Sequence, residues 1–146
     1  MAILPLVIGV DNPQLRVKTV KVGKVTKEIK QMIRDMQETM VEANGIGLAA
    51  PQIGSNVKLC IAPVGGKMTA MMNPEITWKS EEQVVDEEGC LSLPGTFVQV
   101  PRAVEIIVTF DDEKGQQQER KLQNLEARVV QHETDHLNAK LITDYR

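Results

Sequence analysis

The stretch NLEARVVQHETDHLNAK, residues 124–140, has the pattern of a helix that carries polar chemistry on one face. Asn124 is a good helix N-cap. The residues that follow it at three- and four-residue spacing share one side of a helix; they are Leu125, Val129, His132 and His136. The stretch therefore predicts a helix from about Asn124 with its two imidazoles side by side.

Two imidazoles four residues apart, with a glutamate after the first, form the pattern H-E-x-x-H, which can bind one divalent ion. His132 and His136 are the only histidines of the chain, and Glu133 stands between them. A carboxylate at that position is not a ligand but can take a proton from a water that the cation acidifies. The alternative is a solvated helix face with one buried histidine.

A catalytic site of this kind also needs a third protein ligand and one open position for water. Downstream of the motif, Ile142 stands where an extended motif has its third histidine, and Asp144 is the only acidic residue. Cysteine sulfur is the remaining soft donor. Cys60 lies in the apolar run KLCIAPV, where a thiol is usually a small buried residue, whereas Cys90 lies beside a turn in DEEGCLSLPG. Cys90 is therefore the favoured third ligand, with Cys60 as the alternative.

The composition predicts one globular domain that spans residues 1–146, since single cores usually hold about 100–150 residues. The hydrophobic share is 42% and the net charge is −3, so the chain lacks the basic excess that nucleic-acid binding favours. Aromatic residues make up 3%, too few for base-stacking platforms. The sequence has no membrane-length apolar run, no secretory signal pattern and two cysteines. We therefore expect a cytoplasmic protein with reduced thiols and with no membrane or nucleic-acid partner.

The apolar pattern along the chain predicts an α+β fold. In TKEIKQMIRDMQETMVEANG the apolar residues, Val41 included, recur at helical spacing as a core-facing stripe, Thr26 can cap the helix and Gly45 can end it. Short apolar or alternating runs then predict strands; they are VKLCIAPV, KMTAMM, EITW, EQVV, VEIIVTF and QQERKLQ. Turns at Gly65–Gly66 and at DDEKG make the sheets mostly antiparallel. We expect these sheets to pack around a central C-terminal helix that carries H-E-x-x-H, with one amphipathic helix near the N-terminus.

Three segments together resemble the signature motifs of the peptide deformylase family: GIGLAAPQIG at residues 45–54, EGCLS at residues 88–92 and QHETDH at residues 131–136. They occur in the family's order and separations, and the resemblance extends over nearly the whole chain. It implies a metal-dependent hydrolase that removes the formyl group from the N-terminal formyl-methionine of new proteins and releases formate. It also implies one divalent ion, natively Fe(II) in many members, with Zn(II), Ni(II) or Co(II) able to occupy the same site.

The resemblance implies a role for particular residues of each motif. Cys90 and the two histidines would hold the ion, and Glu133 would be the acid and base. The side-chain amide of Gln52 and the backbone N–H of Leu91 would stabilise the oxyanion that forms when the formyl carbon is attacked. N-formyl-methionyl peptides are the implied partners.

The substrate would lie along GIGLAAPQIG, because small residues let the backbone of an extended peptide approach and pair as an added strand. Without the other motifs, the alternative for this segment is a structural turn between a helix and a strand. Val129 and Leu125, one and two turns before His132, are candidates for the methionine pocket or for plain core. The expected substrate-binding residues are Gly45, Ile46, Gly47, Glu88, Gly89, Leu125 and Val129. Glu88 is either paired with Arg102, bracing the metal loop, or a solvated charge.

The sequence departs from the family in three places. Phe97 stands where some members have an arginine that contacts the peptide, and Ala139 replaces a common glycine, which is a small change at a helix end. Bacterial members often continue into a longer C-terminal helix that docks on ribosomes, whereas this chain ends ten residues after His136. We therefore expect the docking tail to be absent, which leaves ribosome association open.

Two other functions fit parts of the pattern. One is a zinc endoprotease built on H-E-x-x-H, which is disfavoured by the missing downstream ligand. The other is a structural or regulatory metal module without turnover. Structural sites normally have four protein ligands, and a fourth is missing here unless Glu133 turns inward.

Overall fold

The computed structural model describes residues 2–146, and across them the chain forms two α-helices, seven strands and three 3₁₀ turns. Helix α1 spans Lys27–Glu42 and helix α2 spans Asn124–Leu137. The strands are β1 (Leu48–Ala49), β2 (Leu59–Val64), β3 (Lys67–Lys79), β4 (Gln83–Cys90), β5 (Leu93–Ala103), β6 (Glu105–Asp111) and β7 (Gln117–Gln123). The 3₁₀ turns are Pro13–Arg16, Ala50–Ile53 and Ile142–Tyr145. The predicted α+β class is confirmed.

The strands form two antiparallel sheets, as expected. Five strands are ordered β1-β2-β3-β6-β7, and β4 pairs with β5 in a separate two-stranded sheet. The turn at Gly65–Gly66 joins β2 to β3. The predicted strands KMTAMM and EITW are parts of one strand, β3. Asn73, which lies between them, has a left-handed conformation at a register shift, and the strand continues to pair with β6 beyond it.

Strand β5 was missed by the sequence analysis. Its sequence LPGTFVQVPRA contains Pro94, Gly95 and Pro101, which are typical of turns and interrupt a strand pattern. In a two-stranded sheet each strand has one free edge, so a residue that lacks an N–H donor is tolerated there. Three residues on the inner side of β5 are buried: Val98, Val100 and Arg102.

Helix α1 begins and ends close to the predicted residues. The hydroxyl oxygen of Thr26 accepts a hydrogen bond from the backbone N–H of Ile29. At the other end, Asn44 rather than Gly45 adopts the left-handed conformation, and Gly45 N–H donates to the carbonyl of Met40. The methionines of the helix contribute to the core, as predicted. Val41, expected on the same stripe, is instead 67% exposed.

Helix α2 lies between the two sheets, which confirms its predicted central position. Ala127, Val130 and Leu137 pack into a core cluster with residues of β2, β3 and β6. On the side of the small sheet, Gln131 accepts from the N–H of Ala103 at 3.1 Å and donates to its carbonyl at 2.9 Å. The N-cap is Gln123, and Asn124, which was predicted to cap, is the first helical residue with φ +57°. No helix within residues 2–146 is long and apolar enough to cross a membrane.

The C-terminal end of α2 contains a strained residue. Ala139 has φ +63°, its N–H donates to the carbonyl of His136, and the next N–H, of Lys140, donates to the carbonyl of Asp135. This is the motif in which helices usually place glycine, because a Cβ disfavours the left-handed region by about 1–2 kcal/mol. The replacement of glycine by alanine is therefore more costly than the sequence analysis expected.

We predict that Ala139→Gly raises the free energy of unfolding by about 1 kcal/mol, because glycine relieves this strain. Urea denaturation of the metal-free protein measures the change. Ala43→Gly is the matched control, since Ala43 also follows a helix but has φ −87°. Ala43→Gly should bring no gain, and an equal gain in both variants would contradict the prediction.

Candidate metal centre and active site

The structure brings the three predicted ligands together. Cys90 ends β4, and His132 and His136 lie on the facing side of α2, with one donor atom from each residue within 4.8 Å of the others. The sulfur of Cys90 is 3.3 Å from Nε2 of His136. A register shift between Glu88 and Cys90 interrupts the pairing of β4 with β5 at the ligand. Such irregularities often re-aim a side chain towards a site. Cys60 is fully buried in the core, as expected for the alternative cysteine.

The protonation chemistry of the cluster fits a divalent cation. Burial and the neighbouring His132 lower the pKa of His136 well below its ordinary value, so its ring stays neutral and keeps a lone pair. Burial opposes protonation of His132, but hydrogen bonds with Cys90 and Glu88 overcome it and raise the pKa of His132 to about 10. The cluster thus attracts positive charge, which a proton supplies in the ion-free protein and a metal ion can supply in its place. One thiolate and two imidazoles are donors suited to transition metals or zinc.

Glu88 orients His132 and is itself held by two arginines. Its Oε1 lies 2.9 Å from Nδ1 of His132, which leaves Nε2 of that ring free for an ion. Arg102 donates from Nε and Nη2 to both carboxylate oxygens, each at 2.9 Å. Arg128 donates to Oε2 at 2.5 Å. Burial opposes ionisation of Glu88, yet its bonds with His132 and Arg102 lower its pKa to about 2. The predicted ion pair with Arg102 is confirmed, and the solvated alternative is wrong.

Glu133 has a different environment from Glu88. It is 4% exposed, and its Oε1 has no hydrogen-bond partner among residues 2–146. Burial raises the pKa of Glu133 to about 7. A Cβ placed on Gly47 would lie 2.6 Å from Oε2 of Glu133 and 2.8 Å from Cγ1 of Val129. Only glycine at position 47 therefore allows the backbone to pass this close to the carboxylate.

The amide of Gln52 is held with its NH₂ group towards the cluster. Its Oε1 accepts from the backbone N–H of Ala49 at 2.9 Å. Its Nε2 donates to the hydroxyl of Ser92 at 3.1 Å and lies 3.7 Å from the sulfur of Cys90. Ser92 is fully buried and was not among the predicted site residues. The hydroxyl of Ser92 fixes the orientation of the Gln52 side chain. This contact joins the motif at residues 45–54 to the motif at residues 88–92, so no local sequence pattern predicts it.

A cavity of about 780 Å³ opens above the cluster. All the predicted site residues line it except His136, which is buried behind the other ligands. Val129 belongs both to the wall and to the core, whereas Leu125 is 59% exposed at the rim. Phe97, also at the rim, is 63% exposed. The lining is mainly apolar, and its buried polar side chains are Gln52, Glu88 and Glu133.

Arg128 is a further site residue that the sequence analysis missed. Besides its bond to Glu88, it donates to the backbone carbonyls of Val100 and Val84 at 3.0 and 2.6 Å, which fastens α2 to both strands of the small sheet. The sequence did contain a sign of this role, because Arg128 precedes His132 by four residues and therefore lies on the same side of the helix.

Comparisons with known proteins agree with this geometry. The sequence model of the polypeptide deformylase family matches residues 5–146. A peptide deformylase from Dictyoglomus turgidum is 42% identical over 135 residues, which cover 92% of this chain and 88% of that protein. The crystal structure of peptide deformylase from Thermotoga maritima is similar with a TM-score of 0.95 and 39% identity, covering 99% of this chain and 98% of that one. The peptide deformylase from Ehrlichia chaffeensis in complex with actinonin has a TM-score of 0.96 and 35% identity, with 100% and 90% covered.

We predict that Cys90→Ala abolishes stoichiometric binding of a divalent ion, because two imidazoles alone do not hold it through dialysis. Cys60→Ala is the matched control: it removes the other cysteine, from the core, and should retain one ion per chain. Elemental analysis after anaerobic loading with Ni(II) and dialysis measures both. Retention of the ion by Cys90→Ala would show that its sulfur is not a ligand.

Proposed function

The chain belongs to the polypeptide deformylase family, and from that premise we propose that it removes the N-formyl group from formyl-methionyl peptides with one divalent ion held by Cys90, His132 and His136. We take residues 1–146 as one catalytic domain that acts in the cytoplasm, where new proteins are made. The observation that supports the reaction most directly is the buried carboxylate of Glu133, whose Oε1 has no hydrogen-bond partner among residues 2–146 and which lines the same cavity as Cys90 and His132.

A bound ion supplies Lewis acidity, which lowers the pKa of water in the site and polarises a carbonyl. We propose Fe(II) as the native ion, with Zn(II), Ni(II) or Co(II) as substitutes. A thiolate and two imidazoles favour these ions over magnesium and calcium, which prefer oxygen ligands. Glu88 keeps the His132 ring oriented for this purpose, because it engages Nδ1.

Glu133 moves the proton in the proposed reaction. It takes a proton from the attacking water and delivers it to the amide nitrogen, which leaves as the new amino terminus while formate is released. A group with a pKa near the operating pH is best suited to work in both directions. The pKa of about 7 that burial gives Glu133 supports this role.

Gln52 and Leu91 are the proposed oxyanion donors. Ala49 and Ser92 hold the Gln52 amide in one orientation, so its NH₂ group does not have to reorganise during the reaction. Leu91 follows Cys90 directly in the chain and lines the cavity, which supports its backbone N–H as the second donor. Donors of this kind are typically worth about 3 kcal/mol each.

The peptide is proposed to bind alongside Gly45–Gly47, which leads into β1. Strand β1 is at the edge of the five-stranded sheet, but its residues Leu48 and Ala49 are buried, whereas the preceding Ile46 is exposed, so an extended chain would pair along Gly45–Gly47 rather than along β1 itself. Val129 and Leu91 offer apolar contacts for the methionine side chain, with Leu125 at the rim. Gly89 and the exposed Ile46 also line the cavity. Phe97 makes the rim apolar at a position where an arginine would attract acidic peptides.

The direct test is release of formate from formyl-Met-Ala by protein that has been purified without oxygen and loaded with Fe(II) or Ni(II). We expect turnover that depends on the ion and stops when a chelator removes it. Binding of one ion per chain without release of formate would instead favour a metal module without catalysis.

We predict that Glu133→Ala retains the ion but lowers kcat by about 10²–10⁴-fold, the usual contribution of an acid and base. Elemental analysis and the formate assay on the same sample measure the two effects. Glu126→Ala removes a carboxylate from the same helix, where it binds the Gly65–Gly66 turn, and should keep normal turnover. Loss of the ion from Glu133→Ala would mean that Glu133 is a ligand.

We also predict that Gly47→Ala lowers kcat by roughly a hundredfold, because the added Cβ displaces the Glu133 carboxylate and small displacements at a reacting group are costly. Gly23→Ala is the control, since a Cβ at Gly23 meets no atom of residues 2–146 within 4 Å. Equal activity of the two variants would argue against close contact between Gly47 and Glu133.

A further inference from the structure

We propose that Tyr145, in the C-terminal 3₁₀ turn, is a positioning residue for the metal ligand His132. The inference rests on the proposed function only in taking His132 as a ligand. Tyr145 does not reach the cavity, and its effect passes through a continuous set of hydrogen bonds between buried or half-buried side chains.

The first link joins Tyr145 to Asp135 and Arg102. The Tyr145 hydroxyl donates to Oδ2 of Asp135 at 2.7 Å and accepts from Nη1 of Arg102 at 3.1 Å. The same Nη1 donates to the same Oδ2 at 2.6 Å. The three groups thus form a closed triangle, so that moving any one of them disturbs the other two.

The second link carries this arrangement from Arg102 to the metal cluster. The remaining donors of Arg102, Nε and Nη2, both bind the Glu88 carboxylate, whose Oε1 in turn lies 2.9 Å from Nδ1 of His132. A guanidinium is planar and rigid, so the bonds that fix its Nη1 also fix the direction of its Nε–Nη2 edge. The orientation of Glu88, and with it that of the His132 ring, therefore depends on what holds Nη1.

Asp135 together with Tyr145 holds Nη1 of Arg102 in place more firmly than Asp135 alone would. The Asp135 side chain is 20% exposed, so water competes for its oxygens, whereas that of Arg102 is 4% exposed. The tyrosine hydroxyl occupies one of the positions that water would take. It also fixes the oxygen that receives the arginine, because both bonds end on Oδ2.

The C-terminal turn is itself fastened to the fold, so Tyr145 has a stable position from which to act. Asp144 accepts two hydrogen bonds from Arg16, at 2.7 and 3.0 Å, and a third from the N–H of Leu141. The Tyr145 ring contacts two cations, with Lys140 Nζ 4.3 Å and Arg102 Cζ 4.9 Å from its centroid. The last residues of the chain are thereby connected to the metal cluster.

The experiment compares Tyr145→Phe with the unchanged protein, both loaded with Ni(II). The variant keeps the ring and its contacts with the two cations but loses the hydroxyl. We expect the ion to pass to a competing chelator roughly tenfold faster, the lower end of the effect of removing a group that supports a metal ligand. A Co(II)-loaded sample should also show a shifted visible spectrum, which reports ligand orientation and is independent of turnover.

Thr143→Ala is the matched control, because Thr143 lies in the same turn and its hydroxyl has no hydrogen-bond partner among residues 2–146. It should release Ni(II) at the normal rate. If Tyr145→Phe does the same and retains the normal Co(II) spectrum, the positioning role is overturned. A loss of stability in urea without faster release would likewise overturn it, in favour of plain packing.

A double-mutant cycle tests the route. If Tyr145 acts through Glu88, Tyr145→Phe has little further effect on Ni(II) release in a Glu88→Gln background. Full additivity of the two changes would overturn the proposed route. Ni(II) release and Co(II) spectra do not require turnover, so failure of the proposed function, seen as absent formate release by the unchanged protein, is a separate result.

Discussion

The site depends on the hydrogen bonds and ion pairs that surround the buried carboxylate of Glu88. Burying a lone carboxylate is costly, and the cost is offset only when charged donors surround it. Here two arginines and one histidine do so, and they come from β5 and from α2, while Glu88 itself comes from β4. Removing one donor would leave part of this buried charge uncompensated. The carboxylate thus joins the small sheet to the central helix at the level of the metal ligands.

Two glutamates a few ångströms from the same cluster have opposite properties because of their surroundings. The donors around Glu88 lower its pKa to about 2, so it remains a fixed negative charge. Glu133 is similarly buried, but its Oε1 has no hydrogen-bond partner in the part of the chain from residue 2 to residue 146, and its pKa of about 7 allows it to gain and lose a proton. One carboxylate is suited to orienting a ring and the other to proton transfer. Residue type alone does not distinguish these roles, whereas hydrogen-bond partners do.

Local patterns predicted the parts of the fold whose signals lie close together in the chain. The spacing of His132 and His136, the Thr26 cap and the Gly65–Gly66 turn each occupy a few residues, and all were predicted. The ion pair of Glu88 with Arg102 was also anticipated, although only as one of two alternatives. Strand β5 was missed because its prolines and glycine are typical of turns, and only pairing with β4 makes it a strand.

Contacts between distant parts of the chain were beyond prediction where no motif marked both partners. Ser92 bonds Gln52 across 40 residues, and Tyr145 bonds Arg102 across 43, so neither has a neighbour in sequence that reveals its partner. The position of Asn124 was misjudged for a related reason: its N–H donates to the carbonyl of Val104, which shifts the cap to Gln123. Backbone strain at Ala139 likewise becomes visible only once the helix end is seen.

The brevity of β1 has a consequence for the kind of chain that the cavity can serve. An exposed sheet edge usually invites neighbouring molecules to add strands and aggregate. Here the edge strand is two residues long and is followed by Pro51, which has no N–H to offer. The proposed pairing of a peptide with Gly45–Gly47 would therefore be confined to a very short length near the end of that peptide. Pairing over so few residues would depend little on the rest of the peptide sequence and would be broken easily, and an edge strand of two buried residues gives identical copies little opportunity to stack.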